Sequence, residues 1–226
     1  MTMVASLFIQ RWPILIGDLL ISSPGKNDKF CLPTVNDNLP KIDIENMHKP
    51  VGLRQKAVVI NNNLAVCWAN SAFYAKRVIK DLISEYKDKI CSIDEMLHYL
   101  DNIDPEIREN VSIVGMLRHN NLFHAFGFNC GNKQLNDNGD IIYIAGSGTE
   151  EFLQTFDAYN LQPQENLNPL QYAVSTLIAQ YNYMMCKEIS SIDSLVNCYG
   201  GGYELISYMN GGFQRRHMED KWLSSI

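Results

Sequence analysis

Apolar residues fall into short blocks along the first part of the chain. Residues 3–9 form one block, and residues 14–22 form another after Gln10-Arg11-Trp12-Pro13. Blocks of this length bounded by turn residues predict two strands, 3–9 and 14–22, joined as a hairpin. The pattern then changes over residues 23–54. Ser23-Pro24-Gly25-Lys26-Asn27-Asp28 is polar, Pro33, Pro40 and Pro50 recur, and Phe30, Leu32, Ile42 and Ile44 remain as apolar anchors. This predicts a long irregular excursion of one domain, a kind of segment that often carries function.

Strands are predicted at 56–60 and 64–68. Asn61-Asn62-Asn63 forms the turn between them, because asparagine tolerates left-handed backbone. Over 71–86 the period becomes helical, with Ala72, Ala75, Ile79, Leu82, Ile83 and Tyr86 along one face. A second helix over 92–100 opens with Ser92 and, three residues on, Glu95, the pattern of a capping box. Strands are expected at 111–117 and 122–128 around His119-Asn120-Asn121, and at 141–145 before Gly146-Ser147-Gly148. Helices follow at 150–159 and 170–189. A last β region, 195–198 and 203–208, surrounds Gly200-Gly201-Gly202. Strands and helices thus alternate as blocks and not as βαβ units, which predicts an α+β fold with helices covering antiparallel sheets.

The 226 residues suit a single domain spanning 1–226, and 46% hydrophobic and 19% charged residues are ordinary globular values. A net charge of −6 argues against a nucleic-acid surface. No basic region precedes the first apolar block, Asp18 interrupts the second, and no apolar run is long enough to span a bilayer, so neither a secretory signal nor a membrane span is expected. The six cysteines include no CxxC pair and read as buried thiols of a cytoplasmic protein. His119 and His124 lack the spacing of a metal site, and no metal or organic cofactor is implied.

The chemistry centres on Thr2. An N-terminal threonine combines a hydroxyl nucleophile with its own α-amine as base. That amine has a reference pKa of about 7.7–8.0, which a nearby ammonium lowers by like-charge repulsion. A carboxylate is then needed to hold the lysine charged. Thr2 becomes N-terminal if Met1 is removed. Asp18, sixteen positions on, and Lys56, at the start of a strand, are candidate partners.

Thr2-Met3-Val4-Ala5-Ser6 followed by Ile16-Gly17-Asp18 resembles the opening of proteasome β-type subunits and their bacterial ring-protease relatives, which are N-terminal nucleophile (Ntn) hydrolases. The resemblance extends to the strand beginning at Lys56, to Trp68-Ala69-Asn70-Ser71 before the first long helix, and to Gly146-Ser147-Gly148. It implies a four-layer αββα sandwich, two antiparallel sheets between helices. The implied activity is amide-bond hydrolysis of threonine-peptidase type on peptides, by a homo-oligomer that forms rings. By the same resemblance Thr2 is the nucleophile, Lys56 tunes its amine, Asp18 holds Lys56, the Asn70 backbone N–H binds the oxyanion and Ser147 lies near the amine. Glycines often stand in the family where this chain has Asn70 and Ser71. Asn197-Cys198-Tyr199-Gly200-Gly201 stands where Asp-x-x-Ser-Gly is frequent, and the 23–54 excursion is longer than usual.

Blander readings exist for each residue. Asp18 could bind turn amides, Lys56 could be a solvated strand-edge lysine, and Ser147 could cap a helix with Glu150 at its third position. Gly146-Ser147-Gly148 also resembles a phosphate-cradling loop, but without its fingerprint. Trp68 and the Tyr/Met-rich stretch 172–185 suit core or a subunit interface. Two other functions fit: a catalytically silent proteasome-like subunit acting in assembly, and an amidase or acyltransferase on a small substrate.

Overall fold

The computed structural model describes residues 2–9, 11–24, 48–134, 141–158, 169–190 and 199–216. Strands β1 (Val4–Ile9) and β2 (Trp12–Asp18) form the opening hairpin, with Arg11 at φ 67° in its turn. β3 (Leu20–Pro24) and β4 (His48–Leu53) bracket the excursion and pair as a two-stranded sheet. The apolar anchors expected at 30–44 lie outside the described residues. The single strand predicted over 14–22 is broken at Leu19. Its N–H leaves the ladder for the carbonyls of Gly200 and Gly202, at 3.2 and 3.0 Å.

β5 (Ala57–Asn61), β6 (Leu64–Asn70), β7 (Val111–His119) and β8 (Leu122–Phe128) make a four-stranded antiparallel sheet in chain order. α1 (Ala72–Tyr86), α2 (Ile93–Asp101) and α3 (Pro105–Asn110) lie in sequence between β6 and β7. Ser92 caps α2 as expected, with its side chain accepting from the Glu95 N–H and Glu95 returning to the Ser92 N–H. β9 (Gly131–Gln134) and β10 (Ile141–Ala145) precede α4 (Thr149–Ala158) and α5 (Pro169–Ser190), and β11 (Tyr203–Met209) and β12 (Gly212–Arg216) follow. The larger sheet has six antiparallel strands in the order β12-β11-β2-β1-β10-β9. The strand expected at 195–198, with Asn197, lies outside the described residues.

Three buried clusters hold these elements, and alternation along the strands feeds them. Leu64, Val66 and Trp68 of β6 pack with Val78 and Leu82 of α1 and Met96 of α2. Met3, with Ala5 and Leu7 of β1, packs with Phe152 of α4 and Leu177 of α5. The alternate residues, Val4 of β1 and Ala65, Cys67 and Ala69 of β6, join Val114 and Met116 of β7 in a third cluster shared by both large sheets. Strands with both faces covered read as continuous apolar runs. The Ser6 hydroxyl in this layer is satisfied by the Gly115 carbonyl at 2.7 Å. The molecule is thus mixed α+β with several antiparallel sheets. Among the described residues no helix is long and apolar enough to cross a membrane.

Candidate functional site

The hairpin register decides where Asp18 stands. Val4 pairs with Gly17, so one step further Met3 faces Asp18, and the Asp18 N–H donates to the Met3 carbonyl at 2.9 Å. The Asp18 side chain folds back over the strand end. Its Oδ1 accepts from the Met3 N–H at 2.8 Å and from the Thr2 hydroxyl. Its Oδ2 accepts from the N–H groups of Leu20, at 3.2 Å, and Gly200, at 3.0 Å. Asp18 therefore does bind turn amides, and it holds the candidate nucleophile with the same carboxylate.

Lys56 arrives from the other large sheet, one residue before β5. It is not a solvated edge lysine: its side chain is 0% exposed, as is that of Asp18. A charge here is tolerable only with its hydrogen bonds met. Three protons on Nζ find three acceptors: Asp18 Oδ1 at 2.7 Å, the Leu20 carbonyl at 2.5 Å, and Thr2 Oγ1. Gly17 packs beside this approach, most tightly against Val4. A methyl group there would stand 3.6 Å from Lys56 Cβ and 3.3 Å from Val4 Cγ1. Burial is the strongest influence on Lys56 and pulls its pKa below the ordinary lysine value; Asp18, by charge and hydrogen bond, and Glu204 act against it.

Thr2 is 1% exposed in the chain that carries Met1. Its carbonyl is fixed by the β10–α4 turn, accepting from the Gly148 N–H at 3.3 Å. Gly146 stands so close, at φ +104°, that a Cβ would lie 1.8 Å from the Thr2 oxygen. Ser147, between these two glycines and exposed, is thereby brought beside the Thr2 main chain. The start of α4 lies one residue later than a Ser147 cap with Glu150 at its third position implies. α4 begins at Thr149, and the Gly148 carbonyl accepts its first bond, from Phe152, at 3.0 Å. One residue of offset is within the usual spread of helix ends.

Asn70 ends β6 two residues after Trp68, whose N–H bonds to the Lys56 carbonyl at 3.1 Å, so it stands at the same end of the sheet as Lys56. Its φ is +73°, the left-handed region open to glycine and asparagine. Asparagine is among the residues with a side chain that take this backbone most readily. The Asn70 side chain donates to Ser112 Oγ at 2.9 Å, and Ser112 donates on to the Asn129 carbonyl at 2.5 Å.

A second tier supports the three central side chains. The Glu188 carboxylate accepts from the Gly201 N–H at 2.6 Å and occupies the space a Cβ on Gly200 would need. Glu204 accepts from the Lys56 N–H. Neither glutamate stands out in the sequence, since each is a lone acid in an otherwise unremarkable element and only long-range pairing places it. Cys67, across from Ala57, is no rival nucleophile. Burial, and secondarily Glu204, push its thiol well above the usual value, which keeps it protonated. His119 and His124 sit on the β7–β8 hairpin, and among the described residues no three His, Cys, Asp or Glu side chains gather to hold a metal ion.

No protein-family model matches this chain, and no curated protein does.

Proposed function

We propose that this protein is an amide-bond hydrolase of the threonine-peptidase type, an Ntn hydrolase whose nucleophile is Thr2 once the Met1–Thr2 bond has been cut. The observation that carries the reading is the contact of Thr2 Oγ1 with both Lys56 Nζ and Asp18 Oδ1. These residues lie on separate parts of the chain, 16 and 54 positions from Thr2, and meet in one buried cluster. The three apolar clusters support the αββα layering that this function implies, in a single domain.

The chemistry follows from the contacts. Lys56 is the amine that touches the hydroxyl, and burial lowers its pKa, the direction that favours the neutral form. Neutral Lys56 takes the Thr2 proton as Oγ1 attacks the substrate carbonyl carbon. Asn70 N–H binds the resulting oxyanion. The C–N bond breaks, the leaving amine takes a proton, and an ester on Thr2 remains for water to hydrolyse. The Thr2 α-amine, freed beside Ser147, serves the second proton transfer. The natural substrates are peptides, and the protein works as a cytoplasmic homo-oligomer.

The test is hydrolysis of a panel of fluorogenic peptide amides. Thr2→Ala reduces release to background and Thr2→Ser keeps part of it; a wild-type rate in Thr2→Ala overturns the reading. One observation favours a second reading, a silent assembly subunit: the closed, nearly unexposed Thr2. A protein with a mature Thr2 terminus and no turnover on any peptide supports that alternative.

A further inference from the structure

Lys56 and Ala57 lie where β5 begins, on the outer edge of the four-stranded sheet. On one side the Lys56 carbonyl is paired with Trp68 N–H. On the other, no strand of that sheet is available among the described residues, and edge N–H groups need acceptors. Glu204 supplies one. Its Oε2 accepts from the Lys56 N–H at 2.9 Å and from the Ala57 N–H at 3.1 Å. Two successive N–H groups thus donate to one anionic oxygen, and hydrogen bonds to an ionised acceptor are stronger than neutral ones. The other carboxylate oxygen faces Arg215 Nε at 3.4 Å, and Arg215 Nη2 donates to the Ala57 carbonyl at 2.6 Å. Glu204 is on β11 opposite Gly17, and Arg215 is on β12 opposite Ile206, so the pair ties the six-stranded sheet to the Lys56 backbone.

We infer that Glu204 is a positioning residue: together with Arg215 it clamps the Lys56–Ala57 main chain to β11 and so fixes where the Lys56 amine meets Thr2. The catalytic meaning of the clamp rests on the function proposed above. The charged and titratable groups around Lys56 are Asp18 from β2, Glu204 from β11, Arg215 from β12 and Cys67 from β6. Glu204 is thus the carboxylate that reaches Lys56 through its backbone while Asp18 holds its amine.

Two readouts test the inference on the mature full-length protein. One is the titration midpoint of the Lys56 side chain, followed by NMR with labelled lysine and assigned by its loss in Lys56→Arg. The other is the pH profile of peptide-amide hydrolysis. Glu204→Gln keeps an acceptor oxygen and removes the charge. It lowers the Lys56 midpoint, lowers the inflexion of the pH–rate curve by the same amount, and leaves the plateau kcat within a few-fold of wild type. Glu204→Leu removes both and lowers plateau kcat by about a hundredfold with KM little changed, the cost of a misplaced catalytic group. A folded Glu204→Leu protein with wild-type kcat and Lys56 midpoint overturns the inference. Where Glu204→Leu does not fold, the Glu204→Gln midpoint decides: a downward shift supports the clamp and an unchanged value overturns it. Wild type that hydrolyses nothing defeats the proposed function, while the midpoint shift still judges the clamp.

Discussion

A lysine with no exposed surface, bonded to an unexposed aspartate, makes stability and chemistry inseparable at this site. Asp18→Asn leaves the Lys56 ammonium without its counter-ion, and removing one partner of a buried pair costs about 3–5 kcal/mol, measurable as a shift in chemical denaturation. The loss shrinks as pH rises, because Lys56 can escape by giving up its proton. The same group predicts a sign for wild type. Its folded pKa lies below its unfolded value of 10.5, so between the two the unfolded chain binds more protons and stability rises with pH. Below the folded value the desolvation penalty is present in full. Denaturation midpoints measured across the alkaline range have this positive slope in wild type and lose it in Lys56→Met. Thr2, Asp18 and Lys56 were legible because a hairpin register and one strand start sufficed to bring them close. The acceptor role of the Leu20 carbonyl, the Gly200 N–H on Asp18 and the glutamates behind them were not, because each depends on pairing across more than one element.

Turns position Thr2, the proposed nucleophile, and the β10–α4 turn does so by sheer proximity. Gly146→Ala places a methyl against the Thr2 carbonyl in a left-handed backbone. It costs more than the ~1–3 kcal/mol of backbone strain alone and lowers hydrolysis in the protein that remains folded. Gly211→Ala is the control: φ is +86° but no atom lies within 4 Å of the added methyl, so only the strain of about 1–2 kcal/mol applies and activity is kept. Thermal or denaturant unfolding of the two variants separates clash from strain. At this scale the strongly periodic elements were readable, α1 and the capping box of α2 above all. α3 was missed because it is six residues long, although Asp104 at its N-cap and Pro105 inside its start are helix signals. β9, reading Gly-Asn-Lys-Gln, is too polar to show as a strand and joins the sheet by pairing with β10. β12 had a cue in Asn210-Gly211, a favoured hairpin dipeptide. The break at Leu19 is made by Gly200 and Gly202 from the far end of the chain, with Asp18 Oδ2 taking the Leu20 N–H beside it.

Across the whole molecule the clusters are linked through shared strands. β1 supplies Ala5 and Leu7 to one cluster and Val4 to another, and β6 likewise divides Val66 and Cys67. No cluster can be lost while its neighbours stay intact, so unfolding followed by far-UV and near-UV signals gives one coincident transition. Met116→Ala, in the cluster shared by both large sheets, lowers that single transition by about 2–5 kcal/mol and does not split it. The α+β class was legible from the block order of strands and helices. The shared cluster was not, because alternation shows that both faces of a strand are buried and not what buries them. The central claim concerns the assembled site: Thr2, released from Met1, is a nucleophile activated by Lys56 and Asp18. Intact-mass spectrometry after incubation with a peptide epoxyketone tests it most directly. A single adduct on a protein lacking Met1, absent from Thr2→Ala, is the predicted result; equal labelling of wild type and Thr2→Ala, or a mature protein that retains Met1, contradicts it.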